Sequence, residues 1–245
     1  MSAVVTFAVA GRVLAQLRRD HRTLAMLLVV PCALITLLWW MFEDLPGGVF
    51  DRFGPALLAL FPFIIMFLVT SVTTLRERSS GTLERLLAMP MGKGDFLFGY
   101  ALAFGLVAAV QSLLAVALSV GVLGLDVVGP VWLLGLVAVV DAVLGTALGL
   151  FVSAFAATEF QAVQFMPAVV LPQLLLCGLF VPRTALPDVL GAISDVLPLS
   201  YAVDAMQTLT RSSDVADVWG DLGVVLAFVV GGLALGAATL RRRTP

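Results

Sequence analysis

Apolar residues in this chain come in long blocks, and most charged residues are gathered into the stretches between them. A bilayer core of ~30 Å is crossed by about 20 apolar residues in a helix. Blocks of that length predict six membrane-spanning helices, at about 24–42, 54–75, 96–125, 131–156, 162–182 and 222–240. The third is long enough to be tilted or broken. The fifth carries Pro167 and Pro172, which kink a membrane helix and free carbonyls for neighbours or a cavity to satisfy. A polar segment at 76–95, a tight turn at 126–130, a short loop around Thr158 and Glu159 and a long mixed segment at 183–221 separate the later blocks. Ahead of the first block, residues 4–20 set Phe7, Leu14 and Leu17 against Arg12, Gln16, Arg18 and Arg19. That pattern predicts an amphipathic helix on the membrane surface, with 1–22 as an interfacial segment. The first block ends in Trp39, Trp40, Met41 and Phe42, where a signal-peptide cleavage site requires small residues. Aromatic side chains suit the membrane–water interface, so this block is expected to be an uncleaved span.

Composition rules out a soluble domain. Of 245 residues, 61% are hydrophobic and 12% charged, and the mean hydropathy is +1.09. A soluble domain is roughly half apolar and about a quarter charged, and none of this length has an interior large enough to hide so much apolar surface. The formal net charge of −2 conceals a segregation. Six spans put Arg12, Arg18, Arg19, Arg22, Arg76, Arg78, Arg85, Lys93, Arg241, Arg242 and Arg243 on one side, which is 11 of the 14 basic residues. Arg52, Arg183 and Arg211 fall on the other side, with Glu43, Asp44, Asp51, Asp126, Asp188, Asp195, Asp214 and Asp217. Basic loops stay inside, so both termini are expected in the cytoplasm, as an even number of spans also requires. The expected fold class is an all-α integral membrane protein. Cys32 and Cys177 fall within predicted spans near opposite faces, and single His21 sits among arginines. Neither a disulfide nor a metal site is expected from them.

The segment 76–95 carries the most specific pattern. Leu83, Leu86 and Leu87 stand at i, i+3, i+4 and form one face of a short helix, with Glu84 and Arg85 on the other side. Pro90, Gly92 and Gly94 end it. A short leucine-ridged helix held between two spans is suited to docking, and Glu77 and Glu84 favour a protein over an anionic lipid surface. Within the spans, Asp141 lies near the bilayer midplane, where a charged Asp costs roughly 2.5–3.5 kcal/mol. It is expected to be protonated, paired or facing water, with Gln111 at similar depth as a candidate partner. Gln164 and Gln173 on the proline-kinked fifth span, with Phe61, Phe63 and Phe67 on the second, are candidates to line a cavity. Ordinary helix packing is the competing reading for all of these. Gly145 with Gly149 and Gly232 with Gly236 have the spacing that lets membrane helices approach closely.

The run Arg-Glu-Arg-x-x-Gly-Thr-Leu-Glu-Arg-Leu-Leu-x-x-Pro at 76–90 resembles the cytoplasmic loop of the ABC-2 type permeases, the membrane subunits of ATP-binding-cassette exporters. Gly178, Phe180 and Pro182, then Leu186-Pro187 and Leu197-Pro198-Leu199-Ser200-Tyr201-Ala202-Val203-Asp204-Ala205, resemble the same family's stretch after the fifth span. Val181 separates Phe180 from Pro182, and Ser200 stands where the family has threonine. The resemblance implies that 76–95 is a coupling loop docking on an ATPase subunit, through Glu77, Arg78, Gly81, Thr82, Leu83, Glu84, Arg85, Leu86 and Leu87. It implies two permease chains, identical or closely related, around a central path, with two copies of a separate ATPase. It also implies that 183–212 dips back toward the membrane as short helices, for which Val189, Leu190, Ile193 and Leu197 form an apolar stripe. The N-terminal helix would touch the ATPase, and the second and fifth spans would line the path. The substrate-path candidates are then Phe63, Phe67, Gln111, Asp141, Gln164 and Gln173. The implied setting is a prokaryotic inner or plasma membrane.

No Gly-x-x-x-x-Gly-Lys-Ser/Thr run occurs, and Met91-Gly92-Lys93-Gly94 lacks the leading glycine and the Mg-ligating hydroxyl. ATP and Mg are therefore expected on the partner ATPase and no cofactor on this chain. The expected cargo is amphipathic, a drug-like molecule, a lipid or a glycolipid, with no part for nucleic acid. An ion-coupled carrier using Asp141 is the alternative, against which stand the lack of other intramembrane ionisable residues and of internal repeats. A membrane enzyme would need a nucleophile–base set or metal ligands that the spans do not supply.

Overall fold

The computed structural model describes residues 2–80 and 92–239, in which the chain is all-helical. Its helices are α1 (Ala3–Arg19), α2 (His21–Phe42), α3 (Val49–Ser79), α4 (Lys93–Gly121), α5 (Val131–Ser153), α6 (Glu159–Leu176), α7 (Asp188–Asp195), α8 (Pro198–Arg211) and α9 (Ala216–Thr239). A single 3-10 turn, Arg183–Ala185, precedes α7. Six of the helices, α2 to α6 and α9, are long and apolar enough to cross a bilayer. The six predicted spans are therefore all present as helices.

Caps and turns, not hydrophobicity, set where the helices end. Asp20 caps α2 by accepting from the Thr23 N–H at 3.1 Å and hydroxyl at 2.6 Å, and these bonds hold its carboxyl below the usual range. The third span begins at Lys93 instead of 96, because the Asp95 carboxylate accepts the Gly92 N–H at 2.9 Å and caps the helix. It ends at Gly121 instead of 125, just before Gly124, whose φ of +72° turns the chain. The fifth span ends at Leu176 instead of 182, because Gly178 takes a φ of +89° and Pro182 follows. Polar residues outside the apolar blocks also join helices: α3 runs from Val49 to Ser79 and α9 begins at Ala216. Hydropathy marks where a helix meets lipid, not where its hydrogen bonds stop.

The centre of the bundle is α5, the most buried span, while α2 and α6 are the least. Gly145 and Gly149 decide how α5 packs. A Cβ on Gly145 would lie 2.4 Å from the Phe63 carbonyl oxygen, and one on Gly149 would lie 2.6 Å from that of Phe67. The pair is thus an intrachain seat for the α3 backbone. The register rises together on both helices, so α3 and α5 run the same way. Gly232 against Ala147 and Gly236 against Phe151 show the same for α9. Gly135 against Leu113 and Gly105 against Val143 show α4 running opposite.

At the end where α5 starts, the chain between α6 and α9 folds into a hairpin. Its helices α7 and α8 meet at 91°. Of the expected apolar stripe, Val189, Leu190 and Ile193 on α7 are exposed and Leu197 is half-buried; the buried side chains here are Leu199, Ala202, Val203, Ala205, Met206 and Leu209 on α8. The far end of α8 holds the α4–α5 connection through the Gly129 N–H, which donates to the Leu209 carbonyl at 2.8 Å. Trp132 and Trp219 pair their rings at 6.2 Å at this end.

At the opposite end, α1 lies against α4. Its buried face is Val9, Ala10, Val13 and Leu17, packed with Phe96, Leu97, Tyr100 and Phe104. Of the residues assigned to the apolar face, Leu17 is buried in this cluster and Leu14 packs against it, while Phe7 is exposed. Arg12, assigned to the polar face, reaches inward to Tyr100.

Candidate functional site

Residues 81–91 lie outside the described part of the chain, and with them the coupling candidates Gly81, Thr82, Leu83, Glu84, Arg85, Leu86 and Leu87. The two stems of that segment are described. Glu77 and Arg78 fall in the last turn of α3, and Gly92 precedes α4. Both stems are held by other helices. Arg76 donates to the Glu159 carboxylate at the start of α6 through Nε at 3.0 Å and Nη2 at 3.1 Å. Glu77 accepts from Arg12 Nη2 at 3.5 Å and from Gln16 Nε2 at 3.4 Å, both on α1. The same Arg12 donates to the Tyr100 hydroxyl at 2.7 Å. On the other stem, Asp95 Oδ1 accepts from the Ser2 N–H at 2.8 Å and the Thr6 hydroxyl at 3.3 Å. The segment predicted to dock is thus framed by the N-terminal helix on both sides. Nothing in the sequence singles out Tyr100 or Asp95, and Gln16 stands out only as part of the polar face of α1, because no local pattern joins them to a segment so far along the chain.

The six candidates for a substrate path do not converge. Phe63 and Phe67 are fully buried beneath α5 and belong to the main hydrophobic core. Gln173 is buried too: its Oε1 accepts the Leu199 N–H at 3.3 Å, and its Nε2 donates to the Val169 carbonyl at 3.1 Å. It caps the first turn of α8 and does not face an open cavity. Gln164 is exposed on α6. Asp141 and Gln111 are both fully buried, and neither forms the expected bond to the other: all four of their polar side-chain atoms lack a hydrogen-bond partner. Two unpaired polar groups in an apolar interior are costly, so these are the most demanding residues of the membrane-embedded core.

The hairpin end is organised around Arg183. Its guanidinium donates to Asp204 on α8 and, at 2.6 Å, to Asp195 at the end of α7. It stands 4.9 Å from the ring centre of Tyr201, whose hydroxyl donates to the Asp195 carbonyl at 2.7 Å. Burial opposes the charge of Arg183, but the Asp204 and Asp195 carboxylates outweigh it and hold its pKa above the ordinary arginine value. Ser194 continues the node, donating to the Leu176 carbonyl at 2.8 Å, with its hydroxyl 3.1 Å from that of Ser200. The signal in the sequence is that Arg183 is one of only two arginines in the acid-rich segment 183–221. Among the described residues, no group of three or more His, Cys, Asp or Glu has the geometry to hold a metal ion, and both cysteines are free thiols.

Residues 5–210 match the family described as ABC-2 type transporter. Similar curated proteins include the inner membrane transport permease YhhJ of Escherichia coli, 30% identical over 184 residues, covering 74% of this chain and 48% of that protein. The probable multidrug ABC transporter permease YbhR of Escherichia coli is 25% identical over 190 residues, covering 77% of this chain and 52% of that protein. ABC transporter G family member 20 of Dictyostelium discoideum is 27% identical over 183 residues, covering 74% of this chain and 25% of that protein. The chain thus aligns with between a quarter and about half of the length of these relatives.

Proposed function

This chain belongs to the ABC-2 type transporter family and is a multi-pass plasma-membrane protein, and we propose that it acts as the permease subunit of an ABC exporter. In this reading two permease chains, identical or related, enclose the path, and a separate ATPase, in two copies, binds ATP and Mg. Both chain termini lie in the cytoplasm. The ATPase docks on 76–95, and alternating access carries an amphipathic cargo, a drug-like molecule, a lipid or a glycolipid, outward.

One observation carries the reading: the segment with the family-like motif leaves from two stems, the end of α3 and the start of α4, that are tied to α1 and to α6 at one end of the bundle. A force applied to that segment reaches those four helices at once. The buried filling of the bundle around Phe63, Phe67 and Gln173 supports a path between two chains in place of one through a single chain. Asp141 is then a residue of the wall's interior, and Asp141→Asn is expected to keep transport. Loss of transport that follows pH would instead favour the ion-coupled carrier.

The test is gentle detergent extraction of the tagged chain and mass spectrometry of what co-purifies. A stoichiometric ATPase, lost when Leu83, Leu86 and Leu87 are changed together to Asp, is the expected result. A chain that purifies alone and moves solute in vesicles without ATP would overturn the reading.

A further inference from the structure

We propose that α1 and the first turns of α4 form one rigid unit, and that Glu77 is the releasable contact by which this unit holds the end of α3. The mechanics stand on geometry alone; their use in transport rests on the permease reading above.

The α1–α4 contact has the marks of a permanent joint. Gly99 leaves a recess that Val9 fills, so that a Cβ there would lie 2.6 Å from Val9 Cγ1 and 3.0 Å from the Thr6 carbonyl oxygen. Asp95 ties down the first residues of α1 by two hydrogen bonds while capping α4. Arg12 makes a short bond to Tyr100, and four apolar side chains of α1 are buried in the same cluster as the α4 residues they touch. Asp95, Gly99 and Tyr100 all lie within two turns of one another, so every one of these ties acts on the same stretch of α4.

The contact of this unit with the end of α3 is of a different kind. The Arg12 and Gln16 nitrogens stand 3.5 and 3.4 Å from the Glu77 oxygens, at the outer limit of hydrogen-bond distance. Arg12 has a bond of its own to Tyr100, at 2.7 Å, so that letting go of Glu77 would not strand the guanidinium. Glu77 stands just before the segment that begins after Ser80, and Gly92, on the return, is bound to Asp95. A pull on the intervening segment therefore acts across the Glu77 contact, with α3 on one side and α1 plus α4 on the other. Separation there lets the two stems move apart without unfolding α1.

The test is electron-spin distance measurement on the purified full chain in lipid nanodiscs, with Cys32 and Cys177 replaced by Ala. One label pair joins Gly11→Cys on α1 to Thr73→Cys on α3; the other joins Gly11→Cys to Phe98→Cys on α4. Glu77→Ala is expected to broaden the α1–α3 distances and shift them outward while the α1–α4 distances do not move. Glu77→Gln, which keeps an acceptor for Arg12 and Gln16 and leaves the Arg12–Tyr100 bond in place, is expected to restore most of the narrow α1–α3 distribution, which a merely unfolded variant would not do. Unchanged α1–α3 distances in Glu77→Ala, or α1 leaving α4 as readily as α3, would overturn the proposal. A failure to capture an ATPase would count against the permease reading alone, because these distances are read on the chain without nucleotide.

Discussion

The chain has two tyrosines, one toward each end of the bundle, and each is paired with an arginine. The two pairs are built differently. Tyr201 offers its ring face to Arg183 and spends its hydroxyl on a carbonyl, leaving the guanidinium for two carboxylates, Asp195 and Asp204. Tyr100 offers its hydroxyl to Arg12, and the carboxylate of Glu77 stands farther off, at 3.5 Å. The Arg183 side chain is 17% exposed and that of Arg12 is 29% exposed. The first arrangement saturates a charge among close partners and fixes three short segments as one node. The second joins two helices firmly and a third loosely. Strong ties within a unit and weak ties between units are what a bundle needs if one end is to hold shape while the other transmits motion.

The largest expected effect is at the hairpin. Arg183→Ala leaves Asp204, whose side chain is 35% exposed, without its close partner, and solvent screening is expected to hold the cost at the lower end of the about 3–5 kcal/mol of a fully buried pair. A clear drop in the melting midpoint in nanodiscs is expected. Arg183→Lys recovers only part of it, since one ammonium does not reproduce a planar fork serving two carboxylates. A wild-type midpoint in Arg183→Ala would remove the contrast between the two ends.

Next comes the spine that both ends share. Gly149→Leu forces a side chain into the Phe67 carbonyl, and overpacking of this kind costs about 1–3 kcal/mol. The expected loss appears in hydrogen exchange at both ends together. A loss confined to one end would mean that the ends are not mechanically joined through α5.

Tyr100→Phe removes one hydrogen bond to a charged donor, worth about 1.5–3 kcal/mol at most and less where Glu77 takes up the guanidinium. The expected outcome is a small fall in midpoint with Arg12 drawn toward Glu77, so that α1–α3 label distances shorten. Smallest of all is Arg76→Ala. Its pair with Glu159 is well shaped but 66% and 50% exposed, and such pairs contribute about 0–1 kcal/mol. A double-mutant cycle with Glu159→Ala is expected to give a coupling energy inside that range. A cycle well above it would make this tie as firm as the hairpin node.

Much of the fold was legible before any coordinates. The count and order of the spans follow from block lengths, and Asp141 is conspicuous as a carboxylate in an apolar run. The candidate path was less legible. Gln173 reads as a polar side chain free to face a cavity, yet Leu199, twenty-six residues later, claims it as a cap. Phe63 and Phe67 read as a wall, yet Gly145 and Gly149 draw α5 onto their backbone and bury them. Asp141 and Gln111 share a depth without sharing a bond. Depth along a span is a property of one helix, whereas facing is a property of two.

What the sequence determined by itself is whatever the bilayer demands of a single segment. Each block must be helical to satisfy its backbone within the apolar core, and each must be about as long as that core is thick. These are local requirements, written in consecutive residues. The tertiary structure alone decided which face of α1 meets α4, that Arg12 turns inward, that a glycine pair seats α3 on α5, and that Arg183 gathers two aspartates and a tyrosine into one node. In lipid, apolar surface does not tell a helix which neighbour to choose, so the choice rests on close packing and on a few polar contacts between residues far apart in the chain.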